Sequence, residues 1–221
     1  MFTGIVEDLG TVVRLDRGTD FARLTVDSPV AVTNRTVIGE SIAVNGVCLT
    51  VTAVQGTAFT ADMMHETLRC SSLGFLRRGD HVDVERAMPA AGRFSGHIVS
   101  GHIDGTGLVE SITPDGIAKV YTIRAPYELM RFIAQKGSIT IEGISLTVTS
   151  VTDDTFGVSI IPHTASHTVL AERGIGSIVN IETDPIAKYV DRLLALPSHG
   201  GDSDSRASEA ITERFLIEHG F

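Results

Sequence analysis

The stretch Ser41–Val54 reads SIAVNGVCLTVTAV, and Ser138–Val151 reads SITIEGISLTVTSV. Ser, Ile, Gly, Leu, Thr, Val, Thr and Val recur in step, each 97 positions on from its counterpart, as Ser145 is from Cys48. The same offset aligns Gly4 with Gly101, Pro29 with Pro126, Thr67 with Thr164, Leu73 with Leu170, Gly79 with Gly176, Val82 with Val179 and Glu85 with Glu182. One constant offset over so long a stretch means two copies of one structural unit with no net insertion between them. The mismatches are as informative as the matches: Cys48 faces Ser145, Asn45 faces Glu142, and Ile5 faces His102.

Each copy alternates apolar and polar residues at period two, in short runs rich in Val, Ile and Thr and bounded by Gly, Asp or Pro. In the first copy the runs are Gly10–Leu15, Ala22–Val26, Ser41–Val44, Leu49–Val54, Thr57–Met63 and His81–Glu85. In the second they are Gly107–Ile112, Val120–Arg124, Ser138–Ile141, Leu146–Val151, Thr155–Ile161 and Ser177–Glu182. Six short strands in a unit of this size predict an all-β fold, a small antiparallel barrel or sandwich. A barrel closes its own edges, which suits a unit repeated in one chain. The organisation expected is a first barrel over residues 1–97, a second over 98–194 ending near residue 184 and running into a helix, and a linker and tail over 195–221.

Between strands, His65–Leu73 reads as one helical turn or a loop, and Tyr127–Gln135 as a short helix with Leu129, Phe132 and Ile133 on one face. After Pro185 the period changes, and Ala187, Val190, Leu193 and Leu194 line one side of a helix. That stripe serves an oligomer contact or packs back on its own barrel. Pro197–Ser205 has the composition of a linker, and Arg206–Phe221 reads as a second short helix.

The 221 residues carry 18 basic against 27 acidic side chains, a net charge of −9, and a pI near 5.3. No Lys/Arg cluster appears, which argues against nucleic acid as a partner. No apolar run is long enough to span a bilayer, and the N-terminus lacks the pattern of a signal peptide. Two cysteines, Cys48 and Cys70, make no disulfide framework, so a cytoplasmic location is expected.

Histidines invite a metal reading. His97 and His102 lie five apart around a Ser-Gly turn, and His163 and His167 lie four apart. No cysteine pair or carboxylate supports either pair, so they are read as satisfied or substrate-facing imidazoles and no metal is assigned. Nucleotide-cradling glycine loops and a G-x-S-x-G elbow are absent. Asp62, Glu66 and Asp184 are candidates for binding the hydroxyls of a sugar alcohol. A thiol at Cys48 and a hydroxyl at Ser145, each after an Asn/Glu-Gly turn, suggest two related pockets.

In order along the chain, MFTGIV, NGVCLTV, MHETLR, GDHVDVERAM, SGHIVSGHIDG, KGSITIEGISLTV, IPHT, DPIAKYVDRLL and TERFLIEHGF resemble the riboflavin synthase family of alpha-chain type, over nearly the whole chain. The tandem occurrence of NGVCLT, SGHIDG and GISLT is specific, unlike any one of them alone. The resemblance implies two six-stranded Greek-key barrels, of riboflavin synthase/reductase-like type, and a homotrimer joined through the C-terminal helix. It implies a reaction in which two molecules of 6,7-dimethyl-8-ribityllumazine exchange a four-carbon unit with no cofactor. Each active site would lie between the first barrel of one subunit and the second barrel of its neighbour. The lumazine-producing enzyme is a candidate protein partner.

Carried over residue by residue, the resemblance allots Gly4, Ile5, Val6, Ser41, Cys48, Leu49 and Thr50 to the first copy's pocket, with Asp62, Met63, Met64, His65, Glu66 and Thr67. It allots His102, Lys136, Ser145, Leu146, Thr147 and Asp184 to the second, with Ile161, Pro162, His163, Thr164, Ala165 and Ser166. Cys48, Ser145, His102 and Thr147 are the candidates for proton transfer, with Ser41 and Asp184 in support. His65, Ser95, Ala165, Ser166, Val169 and Ala171 depart from the family pattern. A non-catalytic lumazine- or flavin-binding antenna protein of the same superfamily is the alternative. Retention of both turns and both loops favours the enzyme.

Overall fold

The computed structural model of the chain describes residues 1–19 and 21–195. Strands β1 (Asp8–Arg17), β2 (Phe21–Asp27), β3 (Ser41–Val44), β4 (Val47–Gln55), β5 (Ala58–Met64) and β6 (His81–Arg86) close a barrel in the order β1-β2-β5-β4-β3-β6. Strands β7 (Gly105–Asp115), β8 (Ala118–Arg124), β9 (Ser138–Ile141), β10 (Ile144–Val151), β11 (Thr155–Ile160) and β12 (Ile178–Thr183) close a second barrel with the same cyclic order. The step from β2 to β5 skips two strands, as in a Greek key. All ladders are antiparallel, so the all-β, twin-barrel expectation holds.

The copies agree down to their irregularities. Bulges break the register between Val12 and Arg14 in β1 and between Val109 and Ser111 in β7, which are equivalent positions. The other pair, between Val51 and Ala53 and between Val148 and Ser150, is equivalent too. An extra residue sharpens the bend of a strand, and closing six strands into a circle needs such bends at fixed corners.

Alternation fills each barrel. Leu24, Ile42, Leu49, Phe59, Met63 and Val84 point into the first core; Ile123, Ile139, Ile141, Phe156, Ile160 and Ile181 fill the second. Burying an aliphatic or aromatic side chain of this size contributes about 1.5–3 kcal/mol. Each barrel is capped by a short helix, α1 (His65–Cys70) in the first and α3 (Pro162–Ser166) in the second, the latter after α2 (Tyr127–Met130). A 3-10 turn follows each cap, at Ser72–Phe75 and Val169–Glu172. Helix α2 is shorter than its apolar pattern predicts. After Met130 the chain tightens into turns, Phe132 N–H donating to the Leu129 carbonyl and Ile133 N–H to that of Met130. Leu129, Met130 and Ile133 enter the core, and Phe132 is only half-buried.

Helix α4 (Pro185–Ala195) settles the two uses open to its stripe against packing on its own barrel. Its polar side faces the barrel, through Lys188 on Asp104 at 2.6 Å and Asp191 on Arg131. Ile186, Tyr189, Val190, Leu193 and Leu194 all face outward and are exposed. The linker and tail expected beyond it lie outside the described residues.

Candidate active site

The two Gly turns between paired strands decide where the chemistry sits. Asn45-Gly46 and Glu142-Gly143 both take positive φ at two successive residues (45° and 80°, 52° and 84°), the geometry of a type I′ hairpin. Val47 and Leu49 then turn into the first core, which leaves Cys48 and Thr50 on the outer face beside Ala43 and Ser41, their partners in register. Ser145 and Thr147 stand on the equivalent outer face of the second barrel, opposite Thr140 and Ser138.

Onto each outer face comes the segment that opens the other copy. The Ser145 N–H donates to the Gly4 carbonyl at 2.7 Å, and the Cys48 N–H donates to the Gly101 carbonyl at 2.9 Å. Val6 packs on the second core and Ile103, its equivalent, on the first. Phe2 and Val99 bridge the two segments, each donating its N–H to the other's carbonyl. Only glycine fits at the contacts. A Cβ on Gly4 would stand 2.7 Å from that of Ser145, and one on Gly101 would stand 2.6 Å from that of Cys48. Buried carboxylates hold both segments in place. Glu85 accepts from Thr3 N–H, the Thr3 hydroxyl and Gly4 N–H, and Glu182 accepts from Ser100 N–H and Gly101 N–H.

This exchange corrects the expected allotment. Gly4, Ile5 and Val6 belong with Ser145, Leu146 and Thr147, whereas His102, exposed beside Gly101, belongs with Cys48, Leu49 and Thr50. The repeat could not reveal this, because residues of one copy align in sequence whichever barrel they pack upon.

Other residues take distinct positions. Met63 and Leu49 lie in the first core and reach the site only through their backbone, while Met64 is exposed, as is its equivalent Ile161. Asp62 binds Arg23 at 2.6 Å, and that hydrogen bond holds its carboxyl below the usual range. Glu66 binds Arg69 at 2.7 Å, which lowers its carboxyl likewise, and accepts from the Cys70 thiol at 3.1 Å. His65 meets the Thr19 carbonyl through Nε2. Ser71 donates to the Thr67 carbonyl as Thr168 does to that of Thr164. Pro162, His163 and Ser166 are exposed on α3, and Leu146 and Ala165 are partly buried against the second core. Ser41 also lines a cavity of about 320 Å³ with Glu7, Arg35, Glu40 and Arg86.

Lys136 takes a φ of 68° where the first copy has Gly39 at 95°. A side chain held in a region that favours glycine carries a strain of about 1–3 kcal/mol. Its N–H donates to the Val148 carbonyl, as that of Gly39 does to Val51, so the backbone is fixed and the ammonium is exposed.

His97, expected to be a satisfied or substrate-facing imidazole, has a side-chain partner. Its Nδ1 lies 2.7 Å from the Ser145 Oγ, and its N–H donates to the Thr3 carbonyl. Burial pushes the imidazole below its ordinary value, with the Asp184 charge pulling it up. A neutral ring beside a hydroxyl can accept its proton. Asp184 is thereby part of the second site's electrostatics while its carboxylate caps the Ile186 N–H of α4. His97 and Ser145 lie 48 positions apart, and that separation left no spacing signal in the sequence.

Residues 3–87 and 100–184 each match the family model for the lumazine binding domain. The chain is 51% identical over 194 residues to riboflavin synthase of Actinobacillus pleuropneumoniae, covering 88% of this chain and 90% of that one. It is 43% identical to riboflavin synthase of Bacillus subtilis over 221 residues, the full length of both. Among solved structures it resembles LumP complexed with riboflavin, with a TM-score of 0.77 and 27% identity over 83% of this chain and 99% of that one. With both barrels matched and full-length relatives well above the level at which fold alone is shared, the chain belongs to the riboflavin synthase family, enzymes of riboflavin synthesis with tandem lumazine-binding domains.

Proposed function

We propose that the chain dismutates 6,7-dimethyl-8-ribityllumazine: one molecule gives a four-carbon unit to a second, yielding riboflavin and 5-amino-6-ribitylaminouracil. The two products together contain every atom of the two substrates, so no oxidant or reductant is consumed. The observation that carries the reading is the pair of equivalent half-sites on the outer faces of the two barrels. Each joins a Gly turn, a small polar side chain and an exposed apolar residue, Met64 in one and Ile161 in the other. Two like molecules need two like cradles. When the half-sites face each other across a subunit contact, orientation replaces a costly encounter between two dissolved substrates. The outward apolar stripe of α4 supports a homotrimer that brings such half-sites together.

Within this reading, the second half-site removes a proton from a substrate's 7-methyl group through Ser145, with His97 taking the hydroxyl proton and Thr147 beside it. The first half-site presents the Cys48 thiol and the His102 imidazole to the other molecule, where a nucleophile adds at ring carbon 7. Lys136 faces the second molecule, and Asp62, Glu66 and Thr67 receive ribityl hydroxyls at the first. Incubation with the lumazine alone tests the proposal, and riboflavin and the diaminouracil should form in equal amounts. Tight lumazine binding without riboflavin would instead mean a non-catalytic chromophore-binding protein, the alternative reading.

A further inference from the structure

We propose that Asp83 is held in the folded protein as a neutral carboxylic acid that donates from Oδ2 to the Glu142 carbonyl, and that losing this proton as pH rises unlatches the two barrels. The inference is independent of the reaction.

The molecule's internal symmetry shows what Asp83 must do. Where the barrels meet, Asn180 on β12 accepts through Oδ1 from the Ser72 N–H at 2.6 Å and donates through Nδ2 to the Asn45 carbonyl at 2.9 Å. It thereby ties the first copy's 3-10 turn to the first copy's hairpin turn. The equivalent of Asn180 is Asp83 on β6, and the equivalents of Ser72 and Asn45 are Val169 and Glu142. Asp83 Oδ1 accepts from the Val169 N–H at 2.9 Å, reproducing the first bond. By the same equivalence, the second bond requires a donor on Oδ2 directed to the Glu142 carbonyl, the counterpart of the Asn45 carbonyl. A carboxylate has none, and a carboxylic acid has one. Among the described residues no donor reaches Asp83 Oδ2, although the residue is buried. A proton on that oxygen completes the pattern its twin displays.

Surrounding charges agree. From its own strand Asp83 has Glu85, bound to Thr3 and Gly4, and His81, paired with Glu172 at 2.6 Å. From β1 and its approach come Asp8, bound to Ser28, and Glu7, paired with Arg86. From the facing turns come Glu142 and Glu172, and Arg173, whose guanidinium is committed to Glu142 at 2.9 Å. Burial, with Glu142 and Glu172 adding to it, pushes the Asp83 carboxyl well above its ordinary value against the pull of the Val169 N–H and Arg173. The Asn45 amide accepts from the Asp83 N–H, but its Nδ2 bonds to nothing among the described residues, Asp83 included.

The latch lies under the site. Gly46 and Gly143 meet so closely that a Cβ on either would stand within 2.7 Å of the other's backbone nitrogen. Two residues beyond each glycine come Cys48 and Ser145, whose N–H groups bond across the junction. Ionising Asp83 places a second charge beside Glu142 and turns a hydrogen bond into two facing oxygens.

The sign follows from linkage. A carboxyl that binds its proton more tightly when folded adds stability that is complete below the unfolded value, about 3.9, and is lost as pH rises towards the folded value. Thermal unfolding of the full chain and of Asp83→Asn, from about pH 5 to about pH 10, reads that loss. The amide should match wild type in acid and exceed it by a growing margin of several degrees as pH rises. Asn180→Asp should add a second alkaline decline. At one alkaline pH, the Cys48 and Ser145 amides should exchange hydrogen faster in wild type than in Asp83→Asn. Difference infrared spectra at neutral pH should show a protonated-carboxyl band in wild type that Asp83→Asn lacks. Absence of that band overturns the proposal. So does a stability difference between wild type and Asp83→Asn that is constant with pH, or an amide variant less stable in alkali, as expected of an ionised Asp83 bound by Asn45.

Discussion

Cys48 and Ser145 stand at equivalent points of equivalent hairpins, each beneath a glycine delivered by the other copy, yet their surroundings differ. The Ser145 hydroxyl has His97 at 2.7 Å, while the Cys48 thiol has no hydrogen-bond partner among the described residues. The junction beneath them shows the same kind of asymmetry. On one side an amide, Asn45, sits in the turn and an acid, Asp83, on the strand; on the other an acid, Glu142, sits in the turn and an amide, Asn180, on the strand. Arg173 accompanies Glu142, where the first copy has buried Leu76. The backbone scaffold is kept in duplicate while charge and proton-transfer groups are distributed unequally over it. On the proposed reaction, two half-sites built on one backbone plan can then treat two identical substrates differently.

The largest expected effect tests the shared scaffold. Gly143→Ala places a methyl 2.6 Å from the Gly46 backbone nitrogen in a residue with φ of 84°, so it should cost more than about 3 kcal/mol or prevent folding. Gly56→Ala, at φ of 61° with nothing within 4 Å of the new methyl, should cost only the strain, about 1–2 kcal/mol. Urea unfolding separates the two, and equal costs would mean that the contact between turns carries no weight.

Next comes the charge asymmetry. Arg173→Leu copies the first barrel's Leu76 but leaves Glu142 buried without its cation, at a cost of about 3 kcal/mol at neutral pH. That cost should shrink in acid, because burial already raises the Glu142 carboxyl and protonation removes the orphaned charge. Adding Glu142→Asn rebuilds the first copy's arrangement and should recover most of the loss, read as the unfolding midpoint of the double variant. No recovery would show that the two sides are not interchangeable.

Smaller effects are expected in the chemistry, where the substrate's own acidity assists. Ser145→Ala and His97→Gln should each lower kcat about tenfold, less than the ~10²–10⁴-fold usual for general acid–base catalysis. The double variant should lose little more than either single one, and wild type should fall in rate as His97 protonates in acid while the variants should not. Cys48→Ala should cost less, its thiol having no base. Independent, multiplying losses at His97 and Ser145 would break the pairing. Least of all, Leu193→Ser on the exposed stripe of α4 should change barrel stability by no more than about 0.5 kcal/mol, while sedimentation reads a weakened assembly.

Much of the fold was legible. Ser41–Val44 and Ser138–Ile141 match the observed strands residue for residue, because alternation bounded by Gly turns leaves little freedom in register. Strands such as Asp8–Arg17 run beyond their apolar pattern, since ladder hydrogen bonds continue past the last side chain that needs burial. The two hairpins that carry Cys48 and Ser145 were equally legible from the paired turns. Their partners were not. Glu85 and Glu182 aligned in the repeat, but nothing in the sequence said that each clamps the opening segment of its own copy over the other barrel's hairpin. His97 gave no sign of Ser145.

By itself, then, the sequence determined two copies of a closed antiparallel unit, the turns that carry Cys48 and Ser145, and the family. Period and offset are properties of the chain, written wherever alternate residues must face a core. Only the tertiary structure decided which segment sits on which barrel, which imidazole meets which hydroxyl, and which way the last helix turns its apolar side. Those are settled by contacts between residues far apart in sequence, where packing and hydrogen-bond satisfaction choose among arrangements that look identical in the sequence.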